Sequence, residues 1–173
     1  QAGLHIRMAV NLSARQLQDK ELLSMLARMM KEFAIEPGML ELELTESCLM
    51  ENPESSSQLM HDIKQLNLRL AMDDFGTGYS SLSYLKRFAM DTLKSDRSFV
   101  QDLPHDEQDA AIATTIIAMA RNLGLKVLAE GVETVEQLQF LQEHGCDEVQ
   151  GYYFSRPLPA EEVQPLLKKH MLA

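Results

Sequence analysis

The 173-residue sequence is long enough to bury one substantial core, and its length favours a single domain. Its 26 acidic residues against 16 basic ones give a formal net charge of −10, which argues against a binding surface for DNA, RNA or anionic lipid. No stretch approaches the ~20 apolar residues that a membrane helix needs, so this segment is not expected to insert into a membrane.

Short apolar runs alternate along the chain with segments that have helical spacing. A strand is predicted from His5 to Val10, and a helix follows from Leu17 to Phe33, where apolar residues recur every three or four positions. The next strand is predicted at Met39–Leu44. A second helix runs from Pro53 to about Leu66, with Asn52 as its cap.

The alternation continues to the end of the sequence. A strand from Leu68 to Met72 ends at Asp73, and a glycine-rich turn and a short helix near Ser80–Arg87 follow it. The remaining predicted elements are a strand around Thr92 and Leu93, a helix from Glu107 to Asn122, a strand at Lys126–Ala129, a helix to His144 behind a capping box of Thr134 and Gln137, a strand at Glu148–Gly151 and a helix near Glu161.

Six strand and helix units predict an α/β fold, built on a parallel sheet with right-handed crossovers. A (β/α)₈ barrel needs about 250 residues, or roughly 30 per unit. The present length therefore suits six units better than eight, and the sheet is expected to be open or the barrel incomplete.

The two cysteines, Cys48 and Cys146, have neither metal-binding nor disulfide spacing, which predicts reduced thiols and a cytoplasmic location. The sequence opens at Gln1, without an initiator methionine, and enters an apolar run within a few residues. This beginning suggests a piece of a longer polypeptide, which could itself be membrane-anchored.

Each predicted strand ends in a polar or charged residue where apolar packing would otherwise continue. The carboxyl ends of parallel strands converge on one face, which is where such folds carry chemistry. Convergent carboxylates suit Mg²⁺ or Mn²⁺, whereas the absence of a Cys or His set disfavours zinc. These strand-end residues are Asn11, Glu43, Asp73 with Asp74, Lys94 with Asp96, Glu130 and Gln150.

Most of these positions also have a purely structural interpretation. Asn11 with Ser13 could cap the following helix, and alternation could place the Glu41–Glu46 segment on a solvated face. Lys94 and Asp96 could form a simple ion pair, and Glu130 could begin an ordinary turn. Taken together, the pattern favours a metal site that supports attack of a metal-activated water on a phosphate ester.

Six motifs carry a family resemblance. They are Val10-Asn11-Leu12-Ser13, Glu43-Leu44-Thr45-Glu46, Asp73-Asp74-Phe75-Gly76-Thr77-Gly78, Lys94-Ser95-Asp96-Arg97-Ser98-Phe99, Ala129-Glu130-Gly131-Val132-Glu133 and Gln150-Gly151-Tyr152-Tyr153-Phe154-Ser155-Arg156-Pro157-Leu158. The sequence resembles the EAL domain of cyclic di-GMP phosphodiesterases from end to end. The resemblance implies a modified TIM (β/α)₈ barrel that hydrolyses cyclic di-GMP to linear pGpG with Mg²⁺ or Mn²⁺.

The resemblance also implies roles for individual residues. The metal ligands would be Asn11, Glu43, Asp73 and Asp74. The catalytic residues would be Lys94, Glu130 and Asp73, with Lys94 orienting or deprotonating the attacking water. The substrate would contact Gln150 and Glu133. Support for the site, and for a loop from Asp74 to Ser81, would come from Glu46 and Asp96.

The sequence departs from the family pattern in two places. No Glu-Ala-Leu occurs in the 173 residues, although the family signature would precede the Asn-Leu-Ser strand. The sequence is therefore interpreted as a single EAL-type domain, residues 1–173, that lacks its first two strand and helix units and hydrolyses poorly on its own. Ser95 replaces the usual Ile or Val, at a cost of about 1 to 3 kcal/mol if its hydroxyl is buried without a partner.

Other functions stay open at this point. A degenerate EAL domain could act as a non-catalytic cyclic di-GMP receptor or as a protein-interaction module, and other metal-dependent barrels place carboxylates similarly. The expected partners are cyclic di-GMP, a second copy in a homodimer, and upstream sensory or GGDEF-type domains.

Overall fold

The structure is a computed structural model that describes residues 6–76 and 82–171. Its strands are Met8–Asn11 (β1), Leu40–Thr45 (β2), Arg69–Phe75 (β3), Thr92–Ser95 (β4), Lys126–Ala129 (β5) and Glu148–Val149 (β6). They form one parallel sheet in the order β1-β2-β3-β4-β5-β6, so each strand pairs with the next one in the chain. The predicted α/β class is confirmed, as a half-barrel of six parallel strands.

Helices connect the successive strands. They are Ala14–Leu17 (α1), Leu22–Glu32 (α2), Glu46–Met50 (α3), Pro53–Gln65 (α4), Leu82–Leu85 (α5), Glu107–Asn122 (α6), Val135–Glu143 (α7) and Ala160–Met171 (α8), with a 3₁₀ turn at Arg97–Phe99. Within the described ranges, no helix is long and apolar enough to cross a lipid bilayer.

Helix starts follow the predicted caps. Thr134 Oγ1 accepts a hydrogen bond from the Gln137 backbone N–H, and Gln137 Oε1 accepts one from the Thr134 N–H, so the predicted capping box of α7 is present. Asn52 caps α4, with Pro53 as its first residue. These side chains satisfy N–H groups that have no partner within the helix.

The prediction of a single helix from Leu17 to Phe33 is wrong. Helix α1 ends at Leu17, and the chain turns before α2 begins at Leu22. In this turn the Asp19 carboxylate accepts a hydrogen bond from the Glu21 backbone N–H at 2.9 Å. Such a local bond competes with helical pairing, which periodicity alone does not reveal.

Four strands also differ from their predicted bounds. β2 spans Leu40–Thr45 instead of Met39–Leu44, and β6 ends at Val149 instead of Gly151. β3 continues beyond its predicted end at Asp73 to Phe75, and β1 begins at Met8 and includes Asn11. The predicted start of the first strand at His5 lies outside the described residues, as does the predicted helix start at Ser80.

Alternation along the strands gives the sheet two different faces. One face is apolar and packs against the helices, and its members include Leu42, Leu44, Leu70, Met72, Leu93 and Val127, all almost fully buried. The other face lines the inside of the half-barrel and carries charged side chains that pair between strands, such as Glu41 with Arg69 and Glu43 with Lys94. The solvated-face interpretation of the Glu41–Glu46 segment is therefore wrong.

An ion network at the amino ends of the strands links the two edges of the sheet. Arg7, just before β1, has Nη2 2.5 Å from Glu148 Oε2 in β6 and Nε 3.6 Å from Glu41 Oε1. The Glu41 carboxylate also accepts hydrogen bonds from Arg69 Nε at 3.1 Å and Thr92 Oγ1 at 3.3 Å. The sheet thus curves far enough for side chains near β1 and in β6 to meet.

Candidate active site

A bulge in β3 brings neighbouring carboxylates to one place. The register between β3 and β4 shifts after Met72, so that Asp73 and Asp74 together lie opposite Lys94. Consecutive residues of a regular strand point to opposite faces, but a bulge changes their direction. Asp74 has a φ of 54°, in the left-handed region. As a result, carboxylate oxygens of Asp73, Asp74 and Glu130 lie within 4.8 Å of one another.

Lys94 lies among the carboxylates at the strand ends. Its Nζ is 2.8 Å from Glu130 Oε1, 2.9 Å from Asp73 Oδ1 and 3.0 Å from Glu43 Oε1, and its side chain is 4% exposed. Burial alone would lower the pKa of Lys94, but hydrogen bonds to these carboxylates outweigh burial and raise the pKa well above its usual range. The three carboxylates therefore stabilise Lys94 as an ammonium, the form that can orient a water molecule.

We call Glu43, Asp73, Asp74, Lys94 and Glu130 the acidic cluster. Its carboxylates outnumber its one ammonium. Burial, followed by the charges of Asp73 and Asp96, raises the pKa of Asp74. Burial also raises the pKa of Glu130, although Lys94 opposes it. Asp73 Oδ1 is buried and contacts Lys94 Nζ, which it shares with Glu43 and Glu130. The cluster therefore carries more negative than positive charge, and its carboxylate oxygens are suitable ligands for a hard divalent cation.

Asn11 lies beside this cluster, opposite Glu43 in the register of β1 and β2. Both residues line a cavity of about 360 Å³. Ser13, and not Asn11, caps α1, because Ser13 Oγ accepts the Gln16 backbone N–H at 3.4 Å. The amide oxygen of Asn11 is therefore not needed as a cap and can serve as a neutral ligand next to Glu43.

Glu46 acts at a distance from the cluster. Its side chain is buried, and Oε2 accepts a hydrogen bond from the Gly76 backbone N–H at 3.2 Å. Gly76 has a φ of 97°, and a Cβ there would lie 2.8 Å from Phe99 Cε2. Glu46 thus anchors the first residues after β3. The rest of the predicted loop, 77–81, lies outside the described residues.

The two residues after Lys94 have contrasting environments. Asp96 Oδ1 accepts a hydrogen bond from the Ser98 backbone N–H at 2.9 Å and caps the 3₁₀ turn. Burial would raise the pKa of Asp96, but hydrogen bonds from Ser98 and Arg97 lower it. Ser95 is 4% exposed, and its hydroxyl has no partner among residues 6–76 and 82–171. The burial penalty expected for Ser95 therefore applies.

A cavity of about 670 Å³ opens beside the acidic cluster, and we call it the main cavity. Glu130 belongs to both the cluster and the cavity lining, which also includes the predicted substrate residues Glu133 and Gln150. Two guanidinium groups, from Arg97 and Arg156, line the same space. Neither arginine was predicted as a site residue, although both lie within the family motifs and Arg97 directly follows the predicted site residue Asp96.

An aromatic ring and two close backbone contacts shape the main cavity. The Arg156 guanidinium lies 4.6 Å from the centre of the Tyr152 ring, which is half exposed at the cavity rim. Gly131 has a φ of 76°, and a Cβ there would lie 2.6 Å from Arg97 Cβ. Val132 donates its backbone N–H to the Gln150 carbonyl at 3.0 Å, which joins the loop after β5 to the end of β6.

Comparison with known proteins gives a consistent family match. The family described as EAL domain matches residues 1–157. The chain is 46% identical over 165 residues to the protein named cyclic di-GMP phosphodiesterase NbdA of Pseudomonas aeruginosa, and the match covers 95% of this chain and 21% of that relative. The chain thus spans about a fifth of the length of the curated relatives it matches.

Solved structures share the fold over more than nine tenths of the chain. The phosphodiesterase PaMucR in complex with c-di-GMP matches with a TM-score of 0.87 and 43% identity, covering 91% of this chain and 64% of that one. The EAL domain of Mycobacterium smegmatis DcpA matches with a TM-score of 0.89 and 40% identity, covering 95% of this chain and 74% of that one.

Proposed function

Because the chain belongs to the EAL domain family, we propose that residues 1–173 form the larger part of a phosphodiesterase domain that hydrolyses cyclic di-GMP to linear pGpG. The observation that carries this proposal is the acidic cluster, which lies against a cavity lined by two arginines. A cluster of carboxylates suits a cation, and guanidinium groups suit phosphate.

The acidic cluster would hold Mg²⁺ or Mn²⁺. Its ligands would be oxygens of Asn11, Glu43, Asp73 and Asp74. When bound, a divalent cation lowers the pKa of water and neutralises phosphoryl oxygens. The shared ammonium supports this assignment, because Lys94 alone balances the carboxylates of Glu43, Asp73 and Glu130, and a divalent cation would supply the missing positive charge.

The chain's own side chains would handle the proton and the charge. Glu130, at the junction of the acidic cluster and the main cavity, would accept a proton from the attacking water, and Asp73 would share this role. Lys94, whose pKa the carboxylates raise, would hold the two carboxylates and orient the water.

The main cavity would receive the nucleotide. Arg97 and Arg156 would pair with phosphate oxygens, and the exposed face of Tyr152 offers a surface for a flat base. Gln150 and Glu133 would contact polar edges of the nucleotide. Asp96 and Glu46 would support the site through the 3₁₀ turn and the Gly76 N–H.

We also propose a cytoplasmic location, a homodimer, and upstream sensory or GGDEF-type domains in the parent protein. Both cysteines are free thiols, which agrees with a reducing compartment. The 173 residues alone are expected to hydrolyse cyclic di-GMP slowly, because no Glu-Ala-Leu segment occurs among them.

The test uses the full-length protein that contains this chain. Purified protein is incubated with cyclic di-GMP and Mg²⁺ or Mn²⁺, and pGpG is quantified by chromatography. Asp74→Asn is expected to remove most turnover, whereas Asp62→Asn, at a partly exposed position on α4 bonded to Gln58, should not. Tight binding without hydrolysis by the unaltered protein would instead support the receptor alternative.

A further inference from the structure

We infer that Gln137 is a positioning residue for the wall of the main cavity, an inference that rests on the proposed function. Its side chain is 4% exposed and lies between the loops that follow β4 and β5. Oε1 accepts hydrogen bonds from the backbone N–H groups of Glu133 at 2.7 Å and Thr134 at 3.0 Å. Nε2 donates to the Gln101 carbonyl at 2.9 Å.

These bonds exceed what a helix cap requires. A capping box needs one side-chain bond back to the N-cap residue, and the bond to the Thr134 N–H supplies it. The bonds to the Glu133 N–H and the Gln101 carbonyl lie outside that motif. One buried amide therefore satisfies three backbone groups that belong to two separate loops.

The two loops carry cavity residues on opposite sides of this amide. Gln101 donates its backbone N–H to the Arg97 carbonyl at 3.0 Å, so the anchored carbonyl belongs to the segment that presents Arg97. The other anchored group is the backbone of Glu133. Gln101, Gln137, Arg97 and Glu133 all line the main cavity. Gln137 thus fixes the distance between the segment that carries Arg97 and the segment that carries Glu133, which lie on two sides of the cavity.

This placement predicts an effect on substrate affinity more than on the chemical step. The anchored groups lie in the cavity wall, and the hydrogen bonds of the Gln137 side chain go to Glu133, Thr134 and Gln101, not to the acidic cluster. Loosening the wall misplaces the groups that hold the nucleotide, while the carboxylates around Lys94 keep their own ion pairs.

The test compares substitutions of Gln137 with two controls on α7. Gln137→Met removes all three bonds, whereas Gln137→Glu keeps an acceptor for the Glu133 and Thr134 N–H groups and loses the donor to Gln101. Gln139→Met is the matched control, because the Gln139 side chain is exposed and bonds only within the helix, to Glu143. Leu141→Ala destabilises the same helix from the core and does not line the cavity.

Kinetics with cyclic di-GMP are measured in the full-length protein, at a temperature where every variant is folded. Both substitutions of Gln137 are expected to raise KM about tenfold, with kcat changed about threefold or less. Leu141→Ala and Gln139→Met should leave KM near the wild-type value. The inference is wrong if Leu141→Ala raises KM as much as Gln137→Met does. If Gln137→Met does not fold, Gln137→Glu decides, because it keeps two of the three bonds.

Amide hydrogen exchange tests the anchoring without turnover. Gln137→Met should remove the protection of the Glu133 and Thr134 amides, and Gln139→Met should not. Unchanged protection in Gln137→Met would overturn the inference. A wild-type protein that shows the expected exchange pattern but hydrolyses nothing would overturn the proposed function alone.

Discussion

The ammonium nitrogen of Lys94 lies 2.8 Å from Glu130 Oε1, which joins the ends of two neighbouring strands, β4 and β5, inside the half-barrel. The carboxylates of Glu43 and Asp73 complete the surroundings of this ammonium. A buried cation that holds carboxylates from β2, β3 and the end of β5 controls both the stability of the sheet and the charge available to a metal ion.

Replacing Lys94 with methionine should destabilise the protein strongly. Lys94→Met leaves its partner carboxylates without their ammonium, and breaking a buried pair in this way costs about 3 kcal/mol. Mg²⁺ should restore more stability to the variant than to the wild type, because the variant binds the cation at a more negative site. Urea unfolding with and without Mg²⁺ measures both effects. Lys126→Met, at a half-exposed residue, is the control and should lose less than about 1 kcal/mol.

Removing the buried hydroxyl of Ser95 should stabilise the protein. The hydroxyl has no hydrogen-bond partner among the described residues, so Ser95→Ala removes a desolvated polar group, and a gain of about 1 kcal/mol in the free energy of unfolding is expected. Thr92→Val is the contrasting variant on the same strand, because the Thr92 hydroxyl donates to Glu41 and its loss should destabilise. A destabilised Ser95→Ala protein would mean that the hydroxyl has a partner after all.

Two glycines with similar backbone angles should respond differently to alanine. Gly124 and Gly131 have φ values of 74° and 76°, but a Cβ at Gly124 meets nothing within 4 Å, whereas one at Gly131 lies 2.6 Å from Arg97 Cβ. Gly124→Ala should cost about 1 kcal/mol, from the left-handed conformation alone. Gly131→Ala should cost more, since Arg97 must move. Thermal unfolding gives the difference, and cyclic di-GMP titration should show weaker binding only for Gly131→Ala.

The buried thiol of Cys146 should make stability fall at alkaline pH. Burial raises the pKa of Cys146 from 9.0 to about 11. Below pH 9.0 the thiol is neutral in both states, so its contribution is constant. Between 9.0 and about 11 the unfolded chain loses this proton first, which favours unfolding. Cys146→Ala should lack this part of the slope, and unfolding curves of both proteins across this range test the difference. Parallel slopes would contradict the assignment.

Much of the fold follows from local patterns that the sequence displays directly. The order of strands, the Asn52 cap and the capping box of Thr134 and Gln137 depend on periodicity and on side chains close in sequence, and they were predicted. The turn at Asp19 was not predicted, because a single side-chain hydrogen bond stabilises this turn while the apolar spacing typical of a helix continues through it.

The geometry of the site depends on features that have no sequence signal of their own. Strand ends were expected to meet, and Glu43, Asp73 and Glu130 do meet around Lys94. The bulge that turns Asp74 toward Asp73 arises from a shift in the register between β3 and β4. Such a shift depends on both strands and cannot be predicted from the sequence of one strand. The anchoring role of Gln137 could not be predicted either, because its third partner, the Gln101 carbonyl, is distant in sequence.

The Arg7–Glu148 bridge connects residues 141 positions apart, whereas every strand pair joins neighbours in chain order. A chain organised in this way can assemble strand by strand through short loop closures. The bridge requires all six strands to be in place, so it belongs to the last stage of folding. Weakening it with Arg7→Met should therefore speed unfolding in stopped-flow measurements and leave the refolding rate nearly unchanged. This one contact would then govern how long the folded half-barrel persists, and not how quickly it forms.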